Sequence, residues 1–226
     1  MTKHGRTPLA ERVLPDYTRG EELVNTVSHA AGGVFALAAL ALCVASAAAR
    51  RNIWGIVCGA VYGATMLAVY TISSVYHGLP IGLPKQVMRV VDHCAIYFLI
   101  AGTYTPIVLG PLRAAHPAAA WGLFGMVWLL CALGVVPTAI DLKRYRVFSM
   151  VCYVAMGWCV VAFLPVLRGT VPLPAVLWLL AGGIAFTVGA VLYGVGKKKR
   201  YMHSVFHLFV VLGTVLQFVC ILGYVM

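Results

Sequence analysis

The chain has 226 residues, of which 62% are hydrophobic and only 10% charged, and its formal net charge is +11. A soluble domain carries about 25% charged residues, so the composition excludes one and predicts an all-α, polytopic membrane protein. Nor does the positive charge imply a nucleic-acid partner, because the basic residues stand in short clusters between apolar runs, which is the loop pattern of a membrane protein.

Residues 1–20 mix Lys, Arg, Glu, Asp and Pro around no apolar core and read as a short cytoplasmic tail, not as a signal peptide. Seven apolar segments follow, at 23–49, 53–76, 87–109, 118–140, 147–167, 175–196 and 201–226. Each is long enough to cross a hydrocarbon layer about 30 Å thick. A Gly- and Pro-rich link at 78–84 separates the second from the third. Pro111 and Pro117 bracket the next turn, and Gly169, Pro172 and Pro174 mark a later one. The predicted architecture is a seven-transmembrane helix bundle over residues 21–226, with no added soluble domain. The seven cysteines are scattered singly and make no C-x-x-C pair, so they read as small buried hydrophobes.

With the N-terminus inside, the cytoplasmic side holds Lys3, Arg6, Arg12, Arg19, Lys85, Arg89, Lys143, Arg144, Arg146 and the run Lys197 to Arg200. The other side holds only Arg50, Arg51, Arg113 and Arg168. This bias predicts a cytoplasmic N-terminus and an outer C-terminus.

The intramembrane polar residues gather on the same side. Glu21, Glu22, Asn25 and His29 open the first segment, Ser73 and His77 close the second, Asp92 and His93 open the third, and His203 and His207 open the seventh. Glu22, Asn25 and His29 follow i, i+3, i+7, and Ser73 and His77 follow i, i+4, so each set shares one helical face. Val210, Thr214 and Gln217 continue the stripe of His203 and His207. Such groups must point into the bundle, since lipid would leave them unsatisfied. Taken singly, each has an ordinary explanation. Glu21 and Glu22 serve as first-turn charges on a helix dipole, and Ser73 as a hydroxyl bonded back to its own helix.

Together they describe a metal site. An i, i+4 pair of histidines chelates on one face, and His77 supplies a third imidazole at the same depth. Three neutral imidazoles and an open position suit Zn²⁺, while iron, nickel and copper also accept imidazole. Asp92 is placed to hold a metal-bound water and take its proton, and Ser73 to orient His77 or that water. His93 and His29 are candidates for a fourth ligand, a supporting group or a purely structural role.

The pattern Glu22-x-x-Asn25-x-x-x-His29, Ser73-x-x-x-His77, Asp92-His93 leading to Ala101-Gly102-Thr103-Tyr104-Thr105-Pro106, and His203-x-x-x-His207 resembles the progestin and adipoQ receptor family. The short loops are similar to its bacterial branch, the hemolysin III or membrane homeostasis proteins. That resemblance implies seven helices, an inner N-terminus, a multi-pass location in the bacterial cell membrane, and zinc on His77, His203 and His207 with Asp92 and Ser73 nearby. Through the related alkaline ceramidases, it also implies hydrolysis of a ceramide-like lipid amide, with a fatty-acyl chain inside the bundle. The alternatives are a non-enzymatic sensor or receptor of membrane state with structural zinc, and a pore-forming hemolysin.

Overall fold

The computed structural model describes residues 7–196 and 199–226. Lys3, His4, Arg6 and the Lys197-Lys198 part of the basic run lie outside the described residues. Among the described residues there are seven helices long and apolar enough to cross a membrane, and no strand. They are α1 (Arg19–Ala49), α2 (Ile53–Gly78), α3 (Leu83–Ala115), α4 (Pro117–Ile140), α5 (Arg146–Leu167), α6 (Leu173–Val195) and α7 (Met202–Tyr224).

Local chemistry sets the ends. Thr18 caps α1 in a reciprocal box. Its hydroxyl accepts from the Glu21 backbone N–H, and the Glu21 carboxylate accepts from the Thr18 backbone N–H at 2.8 Å. Asn52 caps α2 by accepting from the Gly55 N–H at 2.9 Å. Pro84 occupies the first turn of α3, where its missing N–H costs nothing. Pro111 does not end α3 as the sequence implied. The helix continues through a π-turn at Val108–Leu112, with a kink at Gly110, and closes at Ala115. Pro106 and Pro111 withdraw backbone donors there, and the wider turn absorbs the loss. The fifth span also breaks, into a 3-10 stretch at Cys159–Phe163 between two α-helical pieces.

α3 is the most buried span and forms the axis of the bundle. α1 packs on α2 and α7, α2 and α4 pack on α3, and α6 packs on α7. With no solvent to drive helices together in lipid, close backbone approach does the work. Gly63 on α2 lies so near α1 that an added Cβ would stand 2.6 Å from Leu40 Cα. Gly182 on α6 and Gly213 on α7 do the same for the other pair, a Cβ on Gly213 lying 3.0 Å from the Gly182 carbonyl oxygen. All seven cysteines are free.

Residues 7–18 do not trail away from the bundle. Leu9–Glu11 forms a 3-10 turn, Arg12 donates to the Ile140 carbonyl at 2.6 Å, Gln86 donates to the Arg12 carbonyl at 3.1 Å and Arg89 donates to the Val13 carbonyl at 2.8 Å. The segment thus crosses the ends of α3 and α4 and delivers Tyr17 to the polar end of the bundle.

Candidate metal centre

Three imidazoles from two helices meet at that end. His203 and His207 stand one turn apart at the start of α7, and His77 stands at the end of α2. His203 Nε2 lies 3.2 Å from His77 Nε2 and 3.0 Å from His207 Nε2. One ligand atom from each falls within 4.8 Å of the others. Nitrogens around a tetrahedral zinc, at roughly 2.0–2.1 Å from the ion, stand about 3.3 Å apart.

The outer faces of the rings decide whether the set suits a cation. His77 Nδ1 lies 2.6 Å from the Glu22 carboxylate, which fixes the proton on Nδ1 and turns the Nε2 lone pair inward. Ser28 Oγ stands 3.5 Å from His207 Nδ1. At most two of the three inward nitrogens can satisfy each other by an N–H···N bond, so the third is left without a partner in the group. A divalent ion fits this donor set.

Glu22 is itself anchored. Its second oxygen lies 2.9 Å from Lys85 Nζ. Lys85 is buried and also donates to the carbonyls of Tyr76, His77 and Leu79 at 3.1, 3.0 and 2.9 Å, closing the C-terminus of α2. Asn25 holds its amide nitrogen 3.4 Å from His77 Nδ1 and accepts from Ser204 at 2.6 Å, joining α1 to α7. Glu21 points elsewhere. It accepts from the backbone N–H of Tyr201, whose φ of 61° turns the chain into α7. Tyr17 stacks on His203, ring centroids 5.1 Å apart. Burial, reinforced by the neighbouring Tyr193 and Tyr76 hydroxyls, pushes its phenol far above the ordinary value, so it stays protonated.

Beside the three rings lies a cavity of about 200 Å³, lined by Ser73, Asp92, His93 and His29 at the polar end. It runs on along α3 past Leu99, Thr103 and Ile107, against Leu179 of α6. From Asp92 to Ile107 along a helix is about 22 Å. Asp92 is buried, with His93 Nδ1 at 3.4 Å. His93 donates from Nδ1 to the Arg89 carbonyl at 2.8 Å, and its own carbonyl accepts from Tyr153. Neither His93 nor His29 joins the three-imidazole group. Sequence reasoning assigned Lys85 to loop charge and Tyr17 to a tail, and passed over Ser28 and Ser204. A lone lysine straight after the Gly/Pro link, on the side of the Glu22 cluster, was the one available signal.

A family profile described as "Haemolysin-III related" matches residues 17–218. The chain is 33% identical over 208 residues to the Hemolysin-3 homolog of Bacillus subtilis (strain 168), covering 92% of this chain and 96% of that one. It is 32% identical over 206 residues to Hemolysin-3 of Bacillus cereus, covering 91% and 92%. The human Monocyte to macrophage differentiation factor is 27% identical over 182 residues, 76% of this chain and 71% of that one.

Proposed function

The chain belongs to the haemolysin-III-related family, and from that premise we propose that it is a zinc-dependent hydrolase of lipid amides in the bacterial plasma membrane, with its site at the cytoplasmic face. The observation that carries this reading is the junction of a three-imidazole group with a buried carboxylate and a long apolar cavity. His77, His203 and His207 would hold the ion. Bound zinc supplies a water of pKa near 7 and polarisation of a carbonyl.

The residues of the chain do the rest. The cavity takes one hydrocarbon chain and excludes water around the amide. Asp92 accepts the proton as water adds to the amide carbon, and returns it to the nitrogen as the C–N bond breaks, leaving a fatty acid and an amine. Ser73, one turn before His77, hydrogen-bonds the attacking water. The excess of Lys and Arg at this end supports its placement on the cytoplasmic side.

The test is release of fatty acid from an N-acyl amphiphile by zinc-loaded protein in nanodiscs. Asp92→Asn is expected to lower turnover by about 10²-fold or more at unchanged zinc content. Absence of turnover in the parent protein, or full turnover in Asp92→Asn, overturns the reading.

One observation favours a second reading, a sensor of membrane state with a structural ion. The imidazoles fasten α2 to α7, and Glu22 ties α1 to them, so an ion there would clamp three helices. That reading expects chelation to lower the melting temperature with no turnover on any lipid.

A further inference from the structure

We propose that His29 is the hydrogen-bonding contact for the polar group of the molecule that fills the cavity, standing beside the three-imidazole group without belonging to it. This deepens the amide-hydrolase reading and rests on it for the identity of that group.

His29 on α1 is 5% exposed and lines the cavity, yet neither Nδ1 nor Nε2 has a hydrogen-bond partner. Buried polar atoms are almost always paired, so a ring in a cavity wall with both nitrogens buried and unpaired points to a ligand. The protein groups around it do not pair with it. The Tyr70 hydroxyl, on the ring that meets His29 edge-on, donates to Thr214 Oγ1 at 2.8 Å. The Asp92 carboxylate lines the same cavity, and the one Nδ1 proton of His93, 3.4 Å from it, goes to the Arg89 carbonyl at 2.8 Å.

Geometry excludes His29 as a fourth ligand. Its ring lies nearly parallel to that of His207, with centroids 3.6 Å apart and planes 10° from parallel. An imidazole binds an ion in its own ring plane. Van der Waals contact keeps the two planes roughly 3.5 Å apart, whereas a Zn–N bond spans only about 2.0–2.1 Å. An ion in the plane of His207 is therefore beyond bonding reach of His29.

What remains is a neutral ring offering one donor and one acceptor. The complementary chemistry is a group that carries both, and a carboxamide does. Its carbonyl oxygen accepts from the ring N–H on one edge of the imidazole, and its N–H is left to donate to Asp92, which lines the same cavity. The N–H bond to the carbonyl oxygen strengthens as negative charge develops there during attack.

His29→Phe tests this, because it keeps a flat aromatic ring for the stack, somewhat larger than imidazole, and removes both nitrogens. The probe is dodecylurea, an amide-like amphiphile that resists hydrolysis, with dodecane as the apolar control, both titrated into zinc-loaded protein in nanodiscs. His29→Phe is expected to hold one zinc per chain and to melt no lower than the parent. Dodecylurea should bind it about tenfold or more weakly, and dodecane equally well. His29→Gln, which restores a donor and an acceptor, is expected to recover part of the loss and serves alone if His29→Phe does not fold. Equal dodecylurea affinity in parent and variants, or loss of zinc from either variant, overturns the proposal. Failure of the hydrolase reading shows itself separately, as a parent protein that binds dodecylurea but turns over no amide.

Discussion

Glu22 and His77 share a hydrogen bond of 2.6 Å across two helices, carboxylate oxygen to Nδ1. This contact sets the tautomer of His77, and with it the direction of the lone pair at Nε2. Removing such a support costs roughly 10- to 100-fold in metal affinity. Glu22→Gln is expected to lower zinc affinity by that factor, read by competition with a fluorescent chelator.

Lys85 anchors the other oxygen of Glu22 and three carbonyls at the end of α2. Lys85→Met leaves the carboxylate and the carbonyls short of a partner. Breaking a buried pair from one side costs about 3–5 kcal/mol. The expected result is a lower melting temperature even without metal. Lys85→Met with Glu22→Gln should cost less than the two separate losses added together.

Chelation and ligand removal should agree. Parent protein is expected to bind one zinc per chain, and His203→Ala and His207→Ala to bind none at the same free zinc, by elemental analysis. An ion held at about 100 times its dissociation constant adds about 2.7 kcal/mol, so chelation should lower the parent's melting temperature and leave both variants unmoved.

The approach of α1 to α2 leaves no room at Gly63, where a Cβ would meet Leu40 Cα at 2.6 Å. Gly63→Ala is expected to cost about 1–3 kcal/mol through forced separation of the helices. At Gly122 a Cβ meets nothing within 4 Å, and Gly122→Ala is expected to be neutral or stabilising. Thermal melts of the two variants side by side distinguish close packing from a general effect of alanine.

At the start of the α4–α5 connection, burial alone would raise the pKa of Asp141. Backbone N–H groups of Arg144 and Thr7 and the charge of Arg12 outweigh it and hold the carboxyl below its ordinary 3.8. A depressed carboxylate pKa stabilises the fold above the unfolded value, and that stability is lost as pH falls through the folded value. Asp141→Asn is therefore expected to melt lower than the parent at neutral pH, with the gap closing below about pH 4.

Seven spans and the meeting of His77, His203 and His207 were legible because both rest on local rules: apolar length, and helical spacing of polar residues that lipid will not tolerate. The kink beyond Pro106 was not, since a π-turn leaves the same apolar run as a straight helix. Glu22 was visible as a helix-start acid, but its partner lies 55 residues away, and only packing shows that it serves His77 while Glu21 serves Thr18 and Tyr201. Lys85 looked like loop charge because a lysine next to Gly and Pro normally reaches water. Tyr17 was hidden because a segment with no apolar run gives no signal of where it folds back.

The break in α5 is stitched by one side chain of α3. The Tyr104 hydroxyl shares its one proton between the carbonyls of Met156 and Gly157, each at 3.0 Å, and accepts from the Val160 N–H at 2.9 Å. The fifth span is thus two short rods sharing a phenol in place of a continuous ladder. The backbone groups freed at the break are paired by a neighbouring span and not by their own, so the fifth span depends on α3 to cross an apolar layer without an unsatisfied peptide.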